Sequence, residues 1–281
     1  MNYRHVYHAG NFADVVKHAV LALLLEHLKH KDKPFFVLDT HAGIGRYDLA
    51  SEEARKTAEA DGGIGRLWAA PRVPPELEGY LAAVAALNAG SKGAPRWYPG
   101  SPLLLRRLLR PHDRLVAVEL HPDDAAKLAA EFRRDPQVKV MQMDGYVALK
   151  SLLPPQERRG LAVVDPPFEA LGEFDRLVTG LGQAHRRWAT GIYALWYPIK
   201  DMRAVADFRA SLNASGIRRI LSAELWVETP GDPEIFAGCG IMIVNPPWTV
   251  KSSLETVFPF LSAVLARAPG AGWRVAWLVP E

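Results

Sequence analysis

Asp165, Pro166, Pro167 and Phe168 follow directly on the apolar run Leu161 to Val164, so an acid, two prolines and a ring stand where hydrophobic sequence stops. The chemistry that suits such a loop is methyl transfer to the exocyclic amino group of a base. An aromatic amine is a poor nucleophile, because its lone pair is delocalised into the ring and its two hydrogens need acceptors. Asp165 offers a carboxylate and Pro166 a backbone carbonyl. Both can accept from one NH2 group while Phe168 stacks on the base, drawing electron density toward nitrogen and holding it for in-line attack. A proline-stiffened strand end would carry the same four residues, so the reading depends on what the rest of the chain supplies.

Positioning this loop requires a buried strand. Leu161 to Val164 fit a strand covered on both faces, and Pro166 and Pro167 have no N–H to continue a ladder, so the chain leaves the sheet at Asp165. Phe35 to Leu38 form a similar strand ending in Asp39, followed by Gly43 and Gly45, which let backbone amides approach a ligand. The third glycine of a dinucleotide fingerprint is missing, so the loop suits adenosylmethionine better than a nicotinamide cofactor. No GxxxxGK[ST] occurs, which argues against a phosphate-cradling NTPase. Two further strands end in Glu119 and in Asp144 with Gly145. Acids closing four successive strands mark the binding edge of an open parallel sheet, although any one alone is an ordinary cap or turn residue.

Helical periodicity over Ala13 to Lys29 and between the strands completes an α/β, Rossmann-like sheet that is mostly parallel. Its antiparallel end is a hairpin of RRILSAELWVE and GCGIMIVNPPW, with WRVAWLVPE as terminal strand. Ser101 and Pro102 start a helix with LLLRRLLR. Residues 50–98 break the rhythm and read as an inserted helical subdomain within one domain spanning 1–281. The GIGR at 63–66 follows no strand and reads as a turn. NPPW, Asn245 to Trp248, competes with DPPF, but it ends a late strand at the antiparallel side, so DPPF is preferred.

Tyr3, Arg4, His5, Tyr7, His8 and Asn11 crowd the N-terminus, and aromatics interleaved with cations suit a nucleic-acid strand as well as a solvated tail. Lys17 and His18 sit beside the apolar face of the first helix, where each alone reads as a solvated or capping side chain. Five histidines by residue 30 suggest a metal, but no HExxH or carboxylate cluster accompanies them, so no metal site is expected. With 34 Lys and Arg against 31 Asp and Glu, the net charge of +3 permits a nucleic-acid partner without demanding one. The single cysteine, Cys239, excludes an internal disulfide. With no signal-peptide pattern and no apolar run of membrane-spanning length, a cytoplasmic protein with no membrane association is expected.

Taken together, YRHVYHAGNFADVVKH, FFVLDTHAGIGRY, YPGSP, VELHP, DGY, DPPF, TGIYALWYPI and the NPPW strand with its VPE terminus are specific in combination. The chain resembles the RlmJ family of bacterial 23S ribosomal RNA adenine-N6-methyltransferases. The resemblance implies S-adenosylmethionine as methyl donor and one adenosine of 23S RNA as target, and a monomer is expected. It implies cofactor contacts at His18, His41, Ser101, Glu119, Asp144, Gly145 and Asp165, with Asp165 also catalytic, and an RNA-facing set of Tyr3, His5 and Lys17. The family usually has tyrosine where this chain has Phe168, which keeps stacking and removes a hydroxyl hydrogen bond. DNA adenine or a protein amino group as acceptor, a non-catalytic RNA-binding role and a nicotinamide dehydrogenase are the rival readings.

Overall fold

The computed structural model describes residues 4–90 and 93–281. In chain order the first half holds α1 (Phe12–Lys29), β1 (Phe36–Asp39), β2 (Arg46–Asp48), α2 (Glu52–Thr57), α3 (Glu59–Gly62), α4 (Ile64–Trp68), α5 (Glu78–Leu87), β3 (Trp97–Pro99), α6 (Ser101–Leu108) and β4 (Arg114–Glu119). Then come α7 (Pro122–Glu131), β5 (Val138–Gln142), α8 (Gly145–Ser151), β6 (Gly160–Val164), α9 (Glu173–Arg187) and β7 (Ile192–Ile199). The chain closes with α10 (Met202–Ala214), β8 (Ile220–Trp226), β9 (Gly238–Val244), α11 (Val250–Leu265) and β10 (Gly272–Val279).

Eight strands form one sheet in the order β10-β8-β9-β7-β6-β1-β4-β5. From β5 to β7 every pairing is parallel, whereas β7 with β9, β9 with β8 and β8 with β10 pair antiparallel. The sheet is therefore the mostly parallel Rossmann-like sheet with an antiparallel end that the strand pattern predicts. Beside β1 the chain first builds outward through β4 and β5 and then reverses to lay down β6 and β7. A crevice opens at such a switch point, outside the carboxyl ends of the strands.

Both faces of the sheet are covered. Val37, Leu161, Val163 and Ala194 pack against α1 and α11 on one face, while Phe36, Leu38, Ala162, Val164 and Leu195 pack against α8, α9 and α10 on the other. This burial on two sides explains why the strands are continuous hydrophobic runs rather than alternating ones. Helix α1 is buried along most of its length, 15 of its residues lying in the interior.

Residues 52–87 supply four short helices whose apolar residues, Ile64, Leu67 and Tyr80 among them, join the α1 side of the core together with Leu77 just ahead of α5. The GIGR segment differs from the expected turn, since Gly63 leads into α4. A Cβ on Gly63 would stand 2.1 Å from the Gly10 carbonyl oxygen, so glycine is what lets this segment lie against the N-terminal chain. A small second sheet, β2 with β3, pairs Arg46 with Pro99 and Tyr47 with Tyr98. It clamps the glycine loop to the YPGSP segment, and Gly100 donates to the Gly45 carbonyl at 2.7 Å.

Candidate active site

Side-chain alternation decides which residues meet. Because Val37, Leu161, Val163 and Ala194 face α1, the residues two further along, Asp39, Asp165 and Trp196, project to the same face. Asp165 follows the last residue of β6 and Trp196 lies next to it on β7, since Val164 pairs with Leu195. Above them stands the first half of α1, capped by Asn11, whose side chain accepts from the Asp14 amide at 2.9 Å. Asp14 and Lys17 are three residues apart and so share a helix face.

The result is a chain of charges under a thin cover. Lys17 donates to Asp14 Oδ1 at 2.9 Å and to Asp165 Oδ2 at 2.6 Å, and Asp14 Oδ2 meets His5 Nε2 at 2.9 Å and the Gly10 amide at 2.9 Å. Burial works against the Lys17 charge, yet Asp14 and Asp165 outweigh it and hold the ammonium protonated well above its ordinary range. Burial likewise opposes ionisation of Asp14, and His5 and Lys17 nevertheless hold its carboxyl well below the usual value. Asp165 Oδ1 and the Pro166 carbonyl accept no hydrogen bond among the described residues.

A cavity of about 860 Å³ opens over this floor. His5, Lys17, His41, Ser101, Glu119, Asp144, Gly145, Asp165, Pro166 and Phe168 all line it. Thus the structure gathers ten of the residues singled out in the sequence. His18 is not among them. It is wholly buried beneath the floor, with its ring stacked on Tyr98 and Nδ1 2.8 Å from the Tyr98 hydroxyl. Burial drives its pKa down to about 3, so the imidazole is neutral. Neither Lys17 nor His18 is the solvated side chain that the helix pattern alone predicts. Tyr3 lies outside the described residues.

The wall on the β1, β4 and β5 side is built by backbone as much as by side chains. Gly43 and Gly45 have φ of +61° and +85°, and Gly43 donates to Glu119 Oε2 at 2.9 Å, while the other Glu119 oxygen takes the His121 amide at 2.8 Å. A Cβ on Gly145 would stand 2.5 Å from the Thr40 carbonyl oxygen. Asp144 Oδ1 caps α8 through the Tyr146 and Val147 amides, leaving Oδ2 3.4 Å from Arg176. Asp39 is fully buried with Oδ2 unpartnered among the described residues, and burial raises its pKa to about 7. His41 is pushed by burial to about 4. Glycine backbone at close range and the carboxylates that close β4 and follow β5 fit a ligand carrying an ammonium, a sulfonium and a ribose, such as adenosylmethionine.

Phe168 has φ of +53°, a conformation uncommon for an aromatic residue. Its ring packs edge-on to Phe174 at 4.9 Å and to Trp196 at 5.8 Å. NPPW lies elsewhere. Because β9 runs against β7, with Val244 paired to Tyr193, the motif emerges at the opposite end of the sheet, where Asn245 donates to the Ala189 and Gly191 carbonyls. Sequence reasoning missed Asp14, whose signal was its three-residue offset from Lys17. It also missed Trp196, Lys200 and Phe236 as cavity residues. Phe236 comes from the loop before β9 and carries no local signal at all.

A family model described as Ribosomal RNA large subunit methyltransferase D, RlmJ, matches residues 32–279. Ribosomal RNA large subunit methyltransferase J of Escherichia coli (strain K12) is 45% identical over 281 residues, covering 100% of both chains, and that of Haemophilus influenzae is 42% identical with the same coverage. A crystal structure of a Legionella pneumophila protein superposes with a TM-score of 0.87 at 34% identity, covering 96% of this chain and 98% of that one. With a matching model over most of its length and relatives of this identity end to end, the chain belongs to the RlmJ family of ribosomal RNA large subunit methyltransferases.

Proposed function

We propose that this protein methylates N6 of one adenosine in 23S ribosomal RNA, using S-adenosylmethionine held at the carboxyl edge of the parallel strands. One observation carries the reading: Asp165 Oδ1 and the Pro166 carbonyl are adjacent acceptors at the cavity wall, neither of them used within the described residues. Two hydrogens on one exocyclic nitrogen match that pair. Bound cofactor supplies an electrophilic methyl group.

The chain's own residues do the rest. Lys17 fixes the Asp165 carboxylate through Oδ2, so that Oδ1 is presented at one angle. Asp165 and Pro166 take the amino hydrogens and orient the nitrogen lone pair, and Phe168 stacks on an adenine turned out of its helix. Asp165 also receives the proton that the methylated nitrogen sheds. Glu119, Asp144, Ser101, His41 and the amides of the glycine loop surround the donor, and His5 with Lys17 faces the RNA entrance. Residues 50–98 act as an insert on one catalytic domain that works as a monomer.

The test is chemical. Ribosomal RNA from a strain lacking this protein should be short of one N6-methyladenosine in 23S RNA relative to its parent, and the purified protein should restore it on protein-free RNA. Identical nucleoside profiles would contradict the reading.

A further inference from the structure

The cavity is polarised. On the β4 and β5 side it presents the carboxylates Glu119 and Asp144, which suit the cationic donor. On the β7 and β9 side it presents Trp196, Phe236 and Lys200 instead. Trp196 meets Phe168 edge-on at 5.8 Å and Phe236 at 6.3 Å, so a row of three rings leads away from Asp165. Phe236 is braced from behind by Phe12 at 4.9 Å. The Lys200 ammonium lies 5.7 Å from the Phe236 ring centroid, is exposed, and has no carboxylate within ion-pair reach among the described residues. Beside Phe236, Ile235 is 41% exposed.

Adenosine N6 needs the two acceptors at Asp165 and Pro166, and neither acceptor lies in this outer compartment. A partly exposed aromatic wall with an unpaired ammonium over one of its rings has the chemistry of a generic nucleotide contact, one ring for a base and one cation for a phosphate. Resting on the adenosine-methylating reading, we infer that the compartment formed by Trp196, Phe236 and Lys200 holds one nucleotide adjacent to the target in the RNA. Its base stacks on Phe236, with Trp196 as the wall behind, and its phosphate meets Lys200. Anchoring a neighbour splays the strand and turns the target toward Phe168, so this wall selects RNA in which the flanking nucleotide is also unpaired.

The experiment uses a 23S RNA fragment containing the target, in three forms: intact, and abasic at either neighbouring position. Wild-type protein should lose about ten- to hundred-fold in kcat/KM with one of the two abasic fragments, the size expected for one lost base stack. Phe236→Ala should show that loss already on the intact fragment and lose no more on the abasic one. Phe236→Leu, which keeps bulk without a ring, guards against an effect of misfolding. Lys200→Ala should raise KM with kcat little changed and flatten the dependence on salt, and Lys200→Arg should restore both. If both abasic fragments perform within twofold of the intact one, or if Phe236→Ala and abasic losses simply multiply, the inference is overturned. Failure of wild-type protein to methylate the intact fragment would instead overturn the adenosine reading, and the inference with it.

Discussion

Lys17 lies between two carboxylates with 6% of its surface exposed, and that setting ties it to the stability of the fold as well as to the proposed site. Removing one partner of a buried ion pair strands the other, so Lys17→Met should destabilise the fold by about 3 kcal/mol. Adding Asp14→Asn should recover part of that loss, which denaturant titration of the two variants would read. Asp39 tests the site by pH. Its folded pKa stands near 7 against an ordinary 3.8, so between these values the folded state holds the extra proton and stability falls as pH rises. Relative to Asp39→Asn, wild-type protein should lose roughly 2–4 kcal/mol across pH 4 to 7, measured without cofactor. Legibility at this scale followed chemistry carried by neighbours in sequence. DPPF and the strand-end acids announced themselves, whereas Asp14, Trp196 and Phe236 gain meaning only from what folds against them.

Elements bring these residues into register, and here glycine matters where backbone approaches backbone. Gly63→Ala would press a Cβ into the Gly10 carbonyl and the Asn11 backbone, neither of which can yield like a side chain. The expected cost is about 2 kcal/mol, with faster proteolysis ahead of α1 because Ile64 also donates to Gly10 there. Such a role was illegible in the sequence, where Gly63 merely repeats the glycine-loop spelling. The strands β2 and β3 were equally hidden, since three-residue strands have no periodicity to detect and their pairing spans some fifty residues. By contrast the core strands and α1 were plain, because continuous burial on two faces and 3.6-residue spacing both leave long apolar signatures.

For the whole molecule, the place of the proposed site follows from where the sheet reverses. Strand order puts β6 beside β1, side-chain parity turns Asp165 toward α1, and antiparallel β9 carries NPPW to the far end, separating two motifs of the same spelling. Chain order alone favoured DPPF, and the topology puts DPPF at the cavity and NPPW away from it. Among the described residues no helix is long and apolar enough to cross a membrane. The central claim is that Asp165 and Pro166 hold an adenine amino group. Its most direct test is mass spectrometry of nucleosides from protein-free 23S RNA incubated with adenosylmethionine and either wild-type or Asp165→Ala protein. Wild type should yield N6-methyladenosine, and Asp165→Ala should yield at least about a thousand-fold less while still binding adenosylmethionine and melting cooperatively. N6-methyladenosine formed by a folded Asp165→Ala protein at near wild-type rate would contradict the account.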